Sequence, residues 1–303
     1  MKVESNNSLK SFFKKNTFFV IIGVLLVLYV ISMLFMFSYG FMNSLKTAKE
    51  YSWNKIHSPQ EGWQFQNYIL AFKKIIVRAR VANGSFVKVG VLEMYFNSIL
   101  YSVGCAFIST FVMAVTAYLT ARFKYKFSSL LVGTVIVTMS LPIVGSTPSA
   151  IQLSKTFGLY DHIWGLWIMS GSFTYGVFFL VFHDAFKGFP SAYQEAAEID
   201  GASELHVMFS IMMPLVKSVF STIFLLRLIG LWNEYQNPLL YMPNKPTIAY
   251  GLYYFTFVNY DNTTFSTPMQ LTGAFLVSIP IFIVFLIFQN RIMSNISIGG
   301  LKG

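Results

Sequence analysis

Five stretches of the chain contain no Asp, Glu, Lys or Arg: residues 16–45, 94–121, 127–154, 162–183 and 262–290. A helix that crosses the hydrocarbon core of a bilayer needs about 20 mostly apolar residues, and each stretch is long enough. They predict spans at 17–41, 96–121, 128–150, 163–185 and 268–291. A sixth apolar segment, 215–241, is interrupted by Arg227 and Glu234 and is also long enough to cross. The expected fold is therefore an all-α polytopic membrane protein with six transmembrane helices. Pro142 and Pro280 fall inside the third and sixth spans, where each should kink its helix and leave carbonyls for neighbours to satisfy.

Composition agrees and removes other classes. Of 303 residues, 55% are hydrophobic and 11% charged, whereas soluble domains carry roughly 25% charged residues. Disorder, collagen and coiled coil need polar excess, periodic glycine or dense charge. The net charge of +10 does not suggest nucleic acid, because no basic and aromatic residues interleave on a soluble surface. Cys105 is the one cysteine and lies in an apolar run, so it reads as a small packing residue. The four histidines (57, 162, 183 and 206) are scattered, without metal-ligand spacing. Thr17–Phe41 is longer than the core of a signal peptide, and no small-residue cleavage site follows. It reads as the first membrane helix. The 18% of aromatic residues read as lipid-facing bulk and interfacial belts.

Lys and Arg tend to stay on the cytoplasmic side. With the N-terminus inside, 11 of them fall on inner segments and 10 on outer ones, eight of the latter in the loop 42–94. That gives a cytoplasmic segment 1–16, a first helix 17–41, an outer loop 42–94, a core 95–291 and a cytoplasmic tail 292–303. Loop 42–94 is long enough for the charge rule to weaken, and its basic content stands out against the rest. In the second span Ser102, Ala106, Thr110 and Ala114 recur every four residues. Small residues at that period let another helix approach closely, either within the chain or at a subunit interface.

The loop 186–214, between the fourth and fifth spans, cannot enter lipid. Ser191 followed by Gln194 is a helix N-cap signature, and Ala192–Asp200 are mostly helix formers. Gly201 offers the left-handed residue that ends a helix, and Ser203 can cap a second helix running toward Pro214. Acidic residues Glu195, Glu198, Asp200 and Glu204 cluster there. On the residues alone this is a solvated hairpin or a docking piece for a soluble partner.

Glu195-Ala196-Ala197, three residues, Gly201, nine residues, then Ile211-Met212-Met213-Pro214 resembles the EAA loop of ABC importer permeases, with Met213 in place of the usual leucine. The run Glu195–Ser203 is similar to the version in the carbohydrate-uptake (MalG-like) branch. So are Trp232-Asn233-Glu234-Tyr235-Gln236-Asn237-Pro238-Leu239-Leu240 and the end Gly299–Gly303. The resemblance covers residues 65–303. It implies a type I importer permease in a bacterial plasma membrane, with both termini cytoplasmic. It also implies a second homologous permease subunit, two ATPase subunits, an extracellular solute-binding protein and a sugar substrate.

No G-x-x-x-x-G-K-[ST] loop occurs, so ATP and magnesium would be held by the ATPase partners and no cofactor by this chain. By the same resemblance Glu195, Ala196, Ala197, Asp200, Gly201, Ile211 and Pro214 would couple to the ATPase. Gly300, Lys302 and Gly303 would touch it from the tail, the alternative being a frayed terminus. Arg227 and Glu234 are two turns apart on one face of the fifth span. Charges at that depth usually face a bundle interior or polar cavity. They are either a structural pair or, for Glu234 with Trp232, Asn233, Tyr235 and Asn237, a lining for a sugar pathway. The resemblance assigns Arg227 no role. A self-contained secondary transporter would show repeats or more intramembrane acids.

Overall fold

A computed structural model of the chain describes residues 17–80, 84–123, 125–141, 145–172, 176–258 and 266–296, with side chains described as far as Asn290. The segment 1–16, Pro142 and the predicted tail contacts Gly300, Lys302 and Gly303 lie outside the described residues. Helix dominates. Among the described residues the one sheet is an antiparallel hairpin, Val77–Arg80 with Phe86–Val89.

Among the described residues three helices are long and apolar enough to cross a membrane: Thr17–Ser44, Val91–Arg122 and Thr267–Asn290. The last belongs to a helix that runs to Ile296 and carries Pro280 in its interior. The other three expected spans are interrupted. The segment 128–150 becomes helices Lys126–Ser140 and Thr147–Thr156. The segment 163–185 becomes Ile163–Met169 and Val177–Lys187. Gly176, at φ +50°, holds the second break in a backbone conformation that suits glycine.

The segment 215–241 ends as helix Lys217–Asn233 and restarts as Gln236–Tyr241. Pro238 explains that break. Its ring opposes a helical carbonyl four residues earlier, at Glu234, whereas in the first turn of a new helix its missing N–H costs nothing. On its N-terminal side, Lys217–Asn233 meets Glu204–Leu215 at a 73° bend. Charge-free length therefore located the apolar segments without locating the breaks inside them.

The chain divides into two compact units, Met1–Ala71 with Asp261–Leu276, and Phe72–Tyr260 with Val277–Gly303. In the first, helix Thr17–Ser44 is exposed along its apolar length and buries only Asn43 and Ser44. Asn67 Nδ2 donates to the carbonyls of Ser44 (2.8 Å) and Lys46 (3.0 Å), and Thr272 Oγ1 donates to Ser44 O at 3.0 Å. The buried Lys46 ammonium donates to Asn54 O at 2.7 Å. Burial lowers its pKa and the neighbouring Glu50 carboxylate raises it, burial having the larger effect.

The second unit is built on Val91–Arg122. Ser102, Ala106, Thr110 and Ala114 are all at most 1% exposed, so the small-residue row packs inside this chain. One core cluster gathers Met113, Ala114, Ala117 and Tyr118 with Phe179, Phe182, Phe186, Val207 and Met212. The other gathers Tyr101, Cys105 and Ala106 with Leu166, Leu225, Leu228, Leu231 and Met242. Trp167 lies over Gly104, where a Cβ would run into the indole, and its Nε1 donates to Leu100 O at 2.9 Å. Loop 242–247 is clipped to the same helix. Asn97 Nδ2 donates to Pro246 O at 3.1 Å, and Ile248 N donates to Ser98 Oγ at 2.8 Å.

Gly104→Ala should therefore force the Trp167 ring out of its seat and cost about 1–3 kcal/mol, as overpacking does. Thermal unfolding of the purified protein measures this. Adding Trp167→Ala should make the double variant cost less than the sum of the singles; additive costs would contradict the contact.

Candidate functional site

Two regions of the second unit carry polar chemistry. The first is loop 186–214. Helix Ala192–Ile199 forms as expected from its composition, but Ser191 has helical backbone angles and its side chain caps nothing. Gln194 Nε2 instead donates to Glu198 Oε1 at 2.9 Å. The end of the helix follows the glycine signal. Gly201 sits at φ +78°, Ala202 N donates to Ala197 O at 2.9 Å, and Gly201 N to Glu198 O at 3.0 Å. These are the two bonds of a Schellman cap, which requires a left-handed residue at Gly201. Ser203 Oγ accepts from His206 N at 3.3 Å and caps the next turn. A π-helical stretch, Val207–Met212, follows and leads into Met213–Leu215, which contains Pro214.

Ala197 is the buried residue of Ala192–Ile199 and joins the cluster of Phe179, Phe182, Phe186 and Met212. Glu195, Ala196, Asp200, Gly201 and Pro214 are exposed, and Ile211 is half-buried. Pro190, Ala192, Tyr193, Ala196, Ala197, Asp200 and Ile211 line an open depression of about 520 Å³. Around it Ile199 is 86% exposed and Leu205 67%. These large apolar side chains are displayed among the exposed acids Glu195, Glu198, Asp200 and Glu204. Arg122 Nη2, from the end of Val91–Arg122, donates to Phe189 O at 3.0 Å and anchors the start of the loop. Sequence reasoning weighed the acids and passed over Ile199, Leu205 and Arg122; apolar residues between charges on a loop were the available signal.

The second region is a cavity of about 320 Å³ bordered by Tyr101 and Cys105 of Val91–Arg122, Met169 and Ser170, and Arg227, Glu234 and Asn237. Tyr101 Oη donates to Glu234 Oε2 at 3.2 Å. Arg227 Nε lies 3.5 Å from Ser109 Oγ. Tyr101 and Ser109 are eight residues apart on one helix, about 12 Å along its axis, so the acid and the guanidinium are met by different turns of Val91–Arg122. Both charges border one polar space.

The structure separates the five predicted pathway residues. Glu234 and Asn237 border the cavity. Trp232 is buried, stacks on Tyr95 with centroids 6.2 Å apart, and donates from Nε1 to Val277 O at 3.1 Å. Asn233 is exposed and donates to Ile229 O of its own helix at 2.9 Å. Tyr235 stacks on Tyr253 at 4.4 Å. The helix that would align all five is cut at Glu234, whose backbone is extended at ψ 127°. Tyr101 and Ser170, which sequence reasoning passed over, take the vacated places. A hydroxyl within a charge-free run was their only sequence signal. Among the described residues no group of three or more His, Cys, Asp or Glu could hold a metal ion.

Residues 111–294 match the family model described as binding-protein-dependent transport system inner membrane component. The chain is 26% identical over 216 residues to the arabinooligosaccharides transport system permease protein of Bacillus subtilis, covering 70% of this chain and 74% of that protein. It is 30% identical over 224 residues to the multiple sugar-binding transport system permease protein of Streptococcus mutans, covering 70% and 77%. A solved bacterial ABC transporter involved in the import of the acidic polysaccharide alginate has a chain of the same fold. The TM-score is 0.70 at 22% identity, covering 90% of this chain and 96% of that one.

If Glu234 borders a water-filled cavity, Glu234→Cys in a Cys105→Ala background should react with a water-soluble, membrane-impermeant thiol reagent. Cysteine at buried Trp232 serves as the unreactive control. Equal inertness at both positions, in every state of the protein, would show that Glu234 is a buried structural partner of Tyr101.

Proposed function

The chain belongs to the binding-protein-dependent transport system inner membrane component family, and we propose that it is the permease subunit of an ATP-driven importer that moves a sugar or oligosaccharide across the bacterial plasma membrane. The substrate class comes from the relatives, whose names specify arabinooligosaccharides and multiple sugars. In this reading six segments cross the bilayer, three of them as broken helices, with both termini cytoplasmic. A second homologous permease completes the pathway, an extracellular binding protein delivers the sugar, and two ATPase subunits hold ATP and magnesium. The exposed apolar length of Thr17–Ser44 is accounted for by lipid and the second permease.

The observation that carries the reading is the loop 186–214: acidic, apolar at its exposed points, and rigid where it meets the core. Helix Ala192–Ile199 seats in a groove of an ATPase subunit, with Glu195, Ala196, Asp200 and Gly201 outward and Ala197 inward. When the ATPase pair closes on ATP, the helix moves as one piece, because the Schellman cap fixes it to Ser203–Pro214. Ala197 presses on Phe179, Phe182 and Phe186, and Arg122 pulls on Phe189, so the displacement reaches Val91–Arg122 and Lys217–Asn233. Those two helices carry Tyr101, Arg227 and Glu234, which border the cavity. The carboxylate of Glu234 and the amide of Asn237 offer the hydrogen-bonding groups that sugar hydroxyls take. Tyr235 and Tyr253 offer stacked rings close by. The tail residues Gly300, Lys302 and Gly303 make a second ATPase contact.

Gly201→Val forces a β-branched residue to positive φ, a genuine backbone outlier, although nothing lies within 4 Å of the position a Cβ would take. The damage should therefore be to the cap and not to packing. Glu195→Lys reverses an exposed charge. Either variant should insert and assemble normally yet lose most sugar uptake while ATP hydrolysis becomes independent of the binding protein. Wild-type uptake with wild-type stimulation of ATPase activity would refute the coupling role.

A further inference from the structure

The basic loop 42–94 has no place in the account above, and the hairpin inside it shows what its charge is arranged to do. In the pairing register Arg78 lies directly opposite Lys88 and Arg80 opposite Phe86. Alternation along a strand puts these four side chains on one face. The other face carries Val77, Ala79 and Val89, which are buried, and Val87, which is 50% exposed. Arg78, Arg80, Phe86 and Lys88 are all exposed. Like charges directly opposite one another destabilise a strand pair, so an anionic surface would relieve the Arg78–Lys88 pair.

The hairpin is also held in place. Asn244 Oδ1 accepts from Arg80 N, while its Nδ2 and backbone N donate to the Asp161 carboxylate at 2.8 and 3.0 Å. Asp161 is itself the one described non-glycine residue at positive φ, 62°. A non-glycine residue in that conformation is maintained only where its surroundings fix it.

Its location identifies the surface. Val89 is two residues from the start of Val91–Arg122. The outward apolar row of that helix, Leu92, Phe96, Ile99, Val103 and Phe107, begins in its first turn. The basic face thus stands where hydrocarbon gives way to headgroups, with the aromatic ring of Phe86 beside it, as interfacial residues are arranged. Two acids lie near: Glu93 on the first turn of the helix, and Asp161, whose carboxylate is taken up by Asn244.

We propose that the face formed by Arg78, Arg80 and Lys88 with Phe86 binds the phosphate headgroups of anionic phospholipids and fixes the depth of this end of the chain in the membrane. This stands whether or not the importer reading holds, since it concerns only the chain and its bilayer.

The test uses the full chain reconstituted in nanodiscs of phosphatidylcholine mixed equally with phosphatidylglycerol, with retained lipid counted by native mass spectrometry. The wild-type chain should retain phosphatidylglycerol in preference, and added salt should weaken the preference. A juxtamembrane cation is worth about fivefold, so Arg78→Gln, Arg80→Gln and Lys88→Gln together should lower the preference at least about tenfold. The charge-conserving set Arg78→Lys, Arg80→Lys and Lys88→Arg should restore it. An unchanged preference in the glutamine variant overturns the proposal, and so does the absence of any preference in the wild type, a result that needs no variant to fold. If the glutamine variant keeps its lipid preference but loses capture of an acidic soluble protein, the face belongs to a protein partner and the lipid assignment is wrong.

Discussion

In lipid no hydrophobic drive pulls one helix against another, so helices associate through close contact of small side chains and through interhelical hydrogen bonds. This chain meets that constraint on Val91–Arg122. Ser102, Ala106, Thr110, Ala114 and Ala117 form a face with essentially no exposure, against which Lys217–Asn233 and Val177–Lys187 pack. Gly104 extends the same logic by admitting an indole where a side chain would stand. Both candidate regions of the second unit are fastened to this helix. Tyr101 holds Glu234 toward one end, Arg122 holds the loop at the other, and the two core clusters lie between. A larger residue on this face would separate the cavity from the loop before it affected either.

The polar residues follow from the same constraint. A charged side chain in the membrane costs about 2.5–3.5 kcal/mol on insertion scales, which explains why Arg227 and Glu234 both turn to a cavity. Tyr101 supplies a hydroxyl donor to the acid and Ser109 lies beside the guanidinium, so each charge has a polar neighbour from Val91–Arg122. Both charges therefore help to shape one cavity.

Much of this was legible in the sequence, and the rest failed for identifiable reasons. Charge-free runs located the apolar segments, because desolvating a charge costs more than any local preference can offset. The turn at Gly201 and the cap at Ser203 were legible because both depend on near neighbours in the chain. The expected cap at Ser191 did not form, since nearby backbone and Glu198 met the hydrogen-bonding needs of that turn. Helix continuity was illegible after Ser140, Met169 and Asn233, where a helix ends inside an apolar run. Of the five residues expected along a sugar pathway, Glu234 and Asn237 border the cavity and Trp232, Asn233 and Tyr235 do not. Trp232 and Asn233 were not excluded, because a regular helix was assumed through a point where the backbone becomes extended. Tyr101 could not be found at all, since its partner lies 133 positions away.

The central claim is that loop 186–214 is the surface through which a soluble ATPase moves the membrane helices. Ile199 tests it most directly, being 86% exposed at the end of the proposed docking helix. A photo-crosslinking residue at 199, in the assembled transporter in native membranes, should form an adduct with the ATPase subunit, and ATP should change its yield. An adduct confined to lipid or absent in both nucleotide states, from a complex that still assembles, would contradict the account.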